Sequence, residues 1–229
     1  MEHLLTWNKE AATRFPDLLV CAGTISGVKV ERCQKEAETL KQSVLARVRR
    51  KYKVELLKHD PVVRAYRDLY WSLGIDPTKT RPAGEALLRR VLHGNELPSI
   101  SNVVDAYNLS SLETVIPLSG FDLERVSPPL EIRFSNERDK FIGIGMNRSK
   151  KFLRKALLVV DTKQILCVYP YRDAEITKIN AKTRSVLIIG YGAPSVSRDQ
   201  LVDAVERALT YIKSAAGGVK RRVNVFHAS

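Results

Sequence analysis

Apolar residues recur at helical spacing through the first half of the chain and turn into short strand-like runs in the second. In "QKEAETLKQSVLARVRRKYKVELLKHD", Leu40, Val44, Leu45 and Val48 fall near a 3.6-residue period, which predicts an amphipathic helix. Its far end carries Arg47, Arg49, Arg50, Lys51 and Lys53, and cations there face the negative end of the helix dipole. Pro61 is placed to open a second helix with Val62, Tyr66, Leu69, Tyr70 and Leu73 on its apolar face and Gly74 at its end. "IDPTKTRPAG" is a turn-rich connector, and "EALLRRVLHG" predicts a short helix stopped by Gly94. Upstream, "DLLVCAGTISGVKV" (Asp17 to Val30) is rich in β-branched and apolar residues around Gly23 and Gly27. It predicts a strand pair or one bent strand.

The stretch "SNVVDAYNLSSLETVIPLSGFD" has no Lys or Arg. Ser101 is a suitable N-cap, and Val103, Val104, Tyr107 and Leu112 share an apolar side. A charge-poor helix turned towards the interior is expected, with Asn102, Asp105, Asn108 and Glu113 set among its apolar residues. From Pro117 onward the period is two. "LEIRFS", "KFIGIGM", "ALLVVDT", "ILCVYPY" and "SVLIIGYG" predict short strands separated by turns and basic loops. A last helix, "RDQLVDAVERALTYIKSA", is capped by Ser197 and presents Leu201, Val202, Val205, Leu209 and Ile212. Helices, then strands, then a closing helix indicate an α+β fold with a mostly antiparallel sheet packed with helices. No repeat, low-complexity tract or long linker divides the chain, so residues 1–229 are expected to form a single domain.

Hydrophobic residues make up 44% of the 229, enough for a real core. Charge changes the picture: 38 Lys and Arg against 25 Asp and Glu leave +13. Such an excess suits a solvated basic surface, an acidic membrane or a nucleic acid. No apolar run approaches the roughly 18–20 residues needed to span a bilayer. The start, "MEHLLTWNKEAATRF", lacks the basic and apolar regions of a signal peptide. Nucleic acid in the cytoplasm is the expected setting, with no membrane partner. Cys21, Cys33 and Cys167 form no CxxC pair, and His3, His59, His93 and His227 are scattered. Neither a disulfide framework nor a metal site is expected, and no cofactor.

Nucleotide loops and hydrolase motifs are missing: "GIGMNRSKK" contains GxG but not the third glycine or a following helix, and predicts a strand ending in a basic turn. "NRSKKFLRK" gathers Arg148, Lys150, Lys151, Arg154 and Lys155 around Phe152 and Leu153, and "KRR" adds Lys220, Arg221 and Arg222. Basic tips on edge hairpins also discourage strand-to-strand aggregation. With +13 overall, contact with phosphates is expected at both clusters.

"SNVVDAYNLSSLETVIPLSGFDLERV" resembles the signature of the B3/B4 domain of the phenylalanyl-tRNA synthetase beta subunit. Asn102, Val104, Asp105, Asn108, Glu113, Pro117, Phe121 and Asp122 meet that pattern. "EITKINAKTRSVLII" is similar to a second family motif in register, at Glu175, Thr177, Ile179 and Thr183, followed by the run from Val186 to Ile189. "RDLYWSLGIDPTKTRPAGEALLRRVL" matches the preceding helix and loop, so the resemblance spans Pro61 to Ser195. The length leaves no room for the rest of a synthetase beta subunit, and a free-standing relative is expected.

The resemblance implies the B3/B4-like fold and an editing pocket, the site that in the synthetase hydrolyses tyrosine wrongly esterified to the tRNA for phenylalanine. It implies that Glu175 lies in the pocket and helps recognise the amino-acid side chain. Asn102, Asn108, Ser119 and Thr177 are the other candidates for a substrate-binding pocket, and no catalytic residue is assigned. The family pattern has His where this chain has Ser119, so tyrosine selectivity does not carry over. Asp105 and Glu113 are read as structural, because buried polar groups without partners cost about 1–3 kcal/mol each. The expected function is tRNA binding with trans-acting hydrolysis of mischarged aminoacyl-tRNA. The alternatives are a non-catalytic tRNA- or amino-acid-binding module and a protein that reuses the fold as a scaffold.

Overall fold

The computed structural model describes residues 4–32 and 35–228, at the level of the backbone for 35–37. His3 and Cys33 lie outside the described residues. The chain begins with β1 (Leu5–Trp7), α1 (Lys9–Arg14), β2 (Leu19–Ser26), α2 (Lys35–Lys51), α3 (Pro61–Ser72), α4 (Ala83–Leu92) and α5 (Asn102–Thr114). Strands β3 (Leu118–Asp122), β4 (Leu130–Phe134), β5 (Lys140–Phe141), β6 (Lys150–Lys151), β7 (Leu157–Val160), β8 (Ile165–Val168) and β9 (Arg172–Asp173) follow. The chain closes with β10 (Ser185–Tyr191), α6 (Arg198–Ala216), β11 (Val219–Lys220) and β12 (Asn224–His227). The fold is α+β.

The first sheet runs β11-β2-β10-β3, and β12 also pairs with β2. All of these pairings are antiparallel. The second sheet runs β1-β4-β7-β8-β9, antiparallel except for β1 beside β4. Strand β10 is apolar at nearly every position because both of its faces are covered. On one face, Gly190 and Gly23 let α6 approach the sheet: a Cβ at either would press on Val205, and at Gly23 on Leu209 as well. On the other face Tyr191 meets the second sheet through Cys167. The layers are therefore helices, first sheet, second sheet.

Helix α5 lies inside the helical layer rather than on it. Nine of its thirteen residues are buried, which explains its lack of charge and its weak sidedness. It packs on α6 and β3, and its Leu109 and Leu112 join a second core with Val44, Val48, Val63, Leu88 and Val91 from the helices before it. Its polar residues are tied to backbone that would otherwise be orphaned. The Asn102 amide donates to the carbonyls of Lys29 (2.9 Å) and Ala215 (3.0 Å) and accepts from the Glu31 amide (3.0 Å). Ser110 donates to Ala204 O and Ser111 to Ile116 O, each at 2.7 Å.

Local signals in the sequence are met at the helix ends. Asp60 caps α3 by accepting from Val62 and Val63, Ser101 caps α5, and Ser197 with Gln200 forms a capping box on α6. Of the strand pair or single bent strand expected, "DLLVCAGTISGVKV" holds one strand, which ends where Gly27 takes a positive φ. One expectation is corrected. Of "KFIGIGM" only Lys140–Phe141 is strand; Gly145, at φ 80°, sits in the turn that sends the chain back to β6. Helix α1 carried too few residues to show a period, and Asn8 caps it.

Gly84 sets the packing of α4 against the end of α5, where Val115 turns left-handed (φ 64°). A Cβ at Gly84 would collide with the backbone carbonyl of Val115, which has no rotamer to escape into. Gly84→Ala is therefore expected to lower stability by about 1–3 kcal/mol, as overpacking does. Urea unfolding checks this: an unchanged midpoint would mean that α4 and α5 are not held in this contact.

Candidate active site

The alternation of β3 places two kinds of surface back to back. Gly120 faces the helices, and the Tyr107 ring lies over it: a Cβ there would stand 2.6 Å from the ring. Ser119 faces the second sheet, where its hydroxyl donates to Oδ1 of Asp173 at 2.5 Å. Strand β3 is the last in its sheet, and beyond it only the Phe121–Lys178 bridge and the bond from Asp122 N to Thr177 O continue the pairing among the described residues. Ser119 and Gly120 thus sit at a strand edge.

Asp173 is the group with unusual chemistry. Burial pushes its carboxyl up to about 7, and the Ser119 hydroxyl pulls only partly against that. Its neighbours do not titrate near neutrality. Cys167, opposite Asp173 in the β8–β9 ladder, shares a 3.0 Å contact with the Tyr191 hydroxyl. Burial raises the Cys167 thiol and the Tyr191 and Tyr107 hydroxyls well above their ordinary values, and the charge of Asp173 adds to each. The Tyr66 hydroxyl donates to the Tyr191 carbonyl at 2.5 Å, and Tyr169 donates to Gly192 O at 2.8 Å, so this wall is fixed in place. At near-neutral pH the cluster holds one carboxyl poised between its two forms, a hydroxyl bonded to it and aromatic hydroxyls that stay protonated.

Thr177 also comes to β3. Its backbone carbonyl accepts from Asp122 N (2.9 Å), while its buried hydroxyl has no partner. Glu175 is turned elsewhere: it pairs with Lys178 and lines a cavity of about 600 Å³ with Arg133, Arg138, Lys140 and Lys163. Asn102 and Asn108 line a water-sized crevice of about 20 Å³ beside α2, apart from Ser119, and the Asn102 amide is already bonded to backbone. The five pocket candidates thus fall in three places, with Ser119 and Thr177 together at β3. Asp105 accepts from Ile100 N at 2.9 Å and Ser99 Oγ at 3.3 Å. Burial disfavours the charged form of Glu113, but hydrogen bonds from Arg47 and Tyr211 outweigh it and hold that carboxyl below its ordinary value.

The basic candidates also divide. Arg148, Lys150, Lys151 and Arg154 are exposed on the β5–β6 hairpin and the segment after it, with Lys155 paired to Glu10 at 2.5 Å. Lys220 pairs with Glu206 at 2.8 Å, and Arg221 and Arg222 are exposed beyond β11. Among the described residues no group of three His, Cys, Asp or Glu side chains is placed to hold a metal ion. Likewise, no helix of the described residues is long and apolar enough to cross a membrane. Asp173 escaped sequence reasoning because it follows "YPYR" as an ordinary strand-end acid. The available signal was Ser119, a polar residue at an inward position of a short apolar strand.

The raised carboxyl has a stability signature. Between pH 3.8, its ordinary value, and about 7, the folded state binds the Asp173 proton more tightly than the unfolded chain does. Folding stability contributed at this position is therefore present at low pH and lost as pH rises through that window. Asp173→Asn keeps an acceptor for Ser119 and removes the titration. Its melting temperature should approach or exceed the parent's as pH goes from 4 to 8, by about 2–4 °C for each kcal/mol regained. A difference between the two that does not change with pH would place Asp173 at an ordinary pKa.

Comparison with known proteins bears on this geometry. The family model described as "B3/4 domain" matches residues 65–217, from α3 to the end of α6. The phenylalanine–tRNA ligase beta subunit of Haemophilus ducreyi is 29% identical over 90 residues, which cover 39% of this chain and 11% of that protein. An N-terminal fragment of the phenylalanyl-tRNA synthetase beta subunit from Pyrococcus horikoshii superposes with a TM-score of 0.50 at 12% identity, covering 95% of this chain and 50% of that one. The chain thus spans half or less of the proteins it matches. The family match takes in every element that carries Ser119, Asp173 and Thr177, and the chain belongs to the B3/4 domain family.

Proposed function

We propose that this protein binds charged tRNA and hydrolyses mischarged aminoacyl esters supplied in trans, with the Ser119–Asp173 pair at the reacting end. The observation that carries the reading is a carboxyl near pKa 7 bonded to a hydroxyl at the edge of β3. A base poised near the working pH combines a useful ionised fraction with useful basicity. Asp173 takes a proton from a water molecule as that water attacks the ester carbonyl. The acyl–oxygen bond then breaks, the ribose hydroxyl leaves with a proton, and the amino acid is released with a free carboxyl. Ser119 orients the carboxylate. A net charge of +13 and the basic hairpin support a polyanionic partner. The relatives' names, synthetase subunits for tRNA, support RNA as that partner.

A binding module without turnover is favoured by one observation: Oδ1 of Asp173 is already engaged by Ser119. A panel of charged tRNAs separates the two. At least one mischarged ester should be cleared, at a rate that rises with pH and levels off above about 7 once the uncatalysed rate is subtracted. Asp173→Asn should slow that reaction by about 10²–10⁴-fold, the usual contribution of a general base, with tRNA affinity unchanged. Retention of every ester would leave binding alone as the function; a variant as fast as the parent would remove Asp173 from the chemistry. Since Ser119 stands where the family pattern has His, tyrosine on the phenylalanine tRNA is expected not to be the preferred ester. A clear preference for it would overturn that expectation.

A further inference from the structure

Consecutive residues of β9 point to opposite sides of the second sheet. Asp173 turns inward to Ser119, while the Arg172 side chain runs outward and fills the space that a side chain at Gly143 would need. There it enters a cleft of about 370 Å³ beneath the β5–β6 hairpin, within the range of small-ligand pockets. Three aromatic residues line this cleft: Phe141 and Phe152 stack at 6.2 Å, and Tyr171, at the rim, carries the Arg172 guanidinium 5.3 Å from its ring centre. Every charged residue of the lining is a cation, namely Lys150, Lys151 and Arg172. Around it the surface is unusually apolar, with Leu153 fully exposed and Ile142 and Ile144 nearly half exposed.

Flat aromatic faces interleaved with unpaired cations are what an unpaired nucleotide strand requires: bases stack on the rings and phosphates meet the ammonium and guanidinium groups. A duplex keeps its bases stacked on one another and offers none to the cleft. An acidic peptide would satisfy the cations and leave the rings without a partner. We propose that the cleft between the β5–β6 hairpin and β9 is a stacking site for an unpaired base of single-stranded RNA, with Lys150, Lys151 and Arg172 on the flanking phosphates. The hairpin is fastened beside the candidate active site, through the bond from Ile144 N to Asp173 O (2.9 Å) and the Gly143–Ala174 bridge. A base held here lies one strand away from the Ser119–Asp173 pair. The assignment of that RNA to the single-stranded end of a charged tRNA rests on the function proposed above; the stacking site itself does not.

The test uses the whole protein and uncharged RNA. Fluorescence anisotropy compares a short single-stranded oligoribonucleotide, a strand of equal length with its bases removed, and a duplex of the same sequence. The intact single strand should bind about tenfold or more tighter than the abasic strand, in line with the stacking of one base. Tyr171→Ala should abolish most of that difference, and Tyr171→Phe should retain it. Tyr171 is nearly half exposed and belongs to none of the buried core clusters, so its loss spares the core, which unchanged melting would verify. Equal binding of abasic and intact strands, preference for the duplex, equal binding of polyglutamate, or a Tyr171→Ala protein that binds as the parent does would each overturn the proposal. The result is independent of turnover: a protein that stacks RNA but clears no ester contradicts only the proposed hydrolysis.

Discussion

Strand β10 is the constraint on which the rest of the architecture depends. It pairs with β2 on one side and β3 on the other, and both of its faces are covered. A strand in that position has no polar face, which is why "SVLIIGY" reads as a continuous apolar run. Its alternation then fixes what lies in each layer. Gly190 admits α6, and Tyr191, one residue on, bonds through its hydroxyl to Cys167 of the second sheet. Because β3 is registered on β10 residue by residue, with Ile189 opposite Ser119, the same alternation aims Ser119 at Asp173. A slip of one residue would turn Ser119 towards α5 and put Gly120 against the carboxyl. The register of one pairing therefore decides whether the cluster exists.

Among the described residues, most buried polar groups elsewhere are answered, with Trp7 Nε1, Tyr70 Oη and Arg207 Nε as exceptions. Glu85, with no side-chain exposure, receives hydrogen bonds from both Arg67 and Arg89, and these outweigh the burial that would otherwise raise its pKa. Asn102 joins three backbone groups from two separate segments. Against that background Asp173 stands out, since it has a hydroxyl for company and no cation within bonding distance. A half-buried carboxyl left with so weak a partner costs stability at neutral pH, and such costs collect where a site needs a tuned group. The unpartnered hydroxyl of Thr177, at the same strand, is a second instance.

Much of the fold was legible because its signals are local. Periodicity placed α2, α3, α4 and α6, Pro61 and Ser197 marked the starts of α3 and α6, and the charge-poor run of α5 announced a helix turned towards the interior. The candidate site was less legible because it is assembled across 54 positions of sequence, from Ser119 to Asp173, by the meeting of two sheets. Composition and spacing carry no trace of that meeting. Polar residues of α5 drew attention by their setting, yet Asn102 turns out to be a bracket between segments, a role with the same composition as a ligand site. Glu175 carried a motif match and lines a cavity beside Lys178, apart from Ser119.

Family membership and chemistry are separate questions here. A TM-score of 0.50 at 12% identity speaks for the path of the backbone and not for the side chains that act on it. The layers, the register of β3 on β10 and the position of the hairpin belong to that path. In the function proposed above, what the site does is set by a few positions: the residue at 119, the acid at 173 and the side chains beneath the hairpin. Here 119 is a hydroxyl of modest donor strength. It stabilises the charged form of Asp173 less than a cation would, and so leaves the carboxyl near neutrality. Because Asp173 and Arg172 are consecutive on one short edge strand, a poised acid and a half-buried cation are held on opposite sides of a single backbone segment. The charged tRNA proposed above has to pass around β9 to engage both, and a flexible single strand with its ester at a terminus meets that demand.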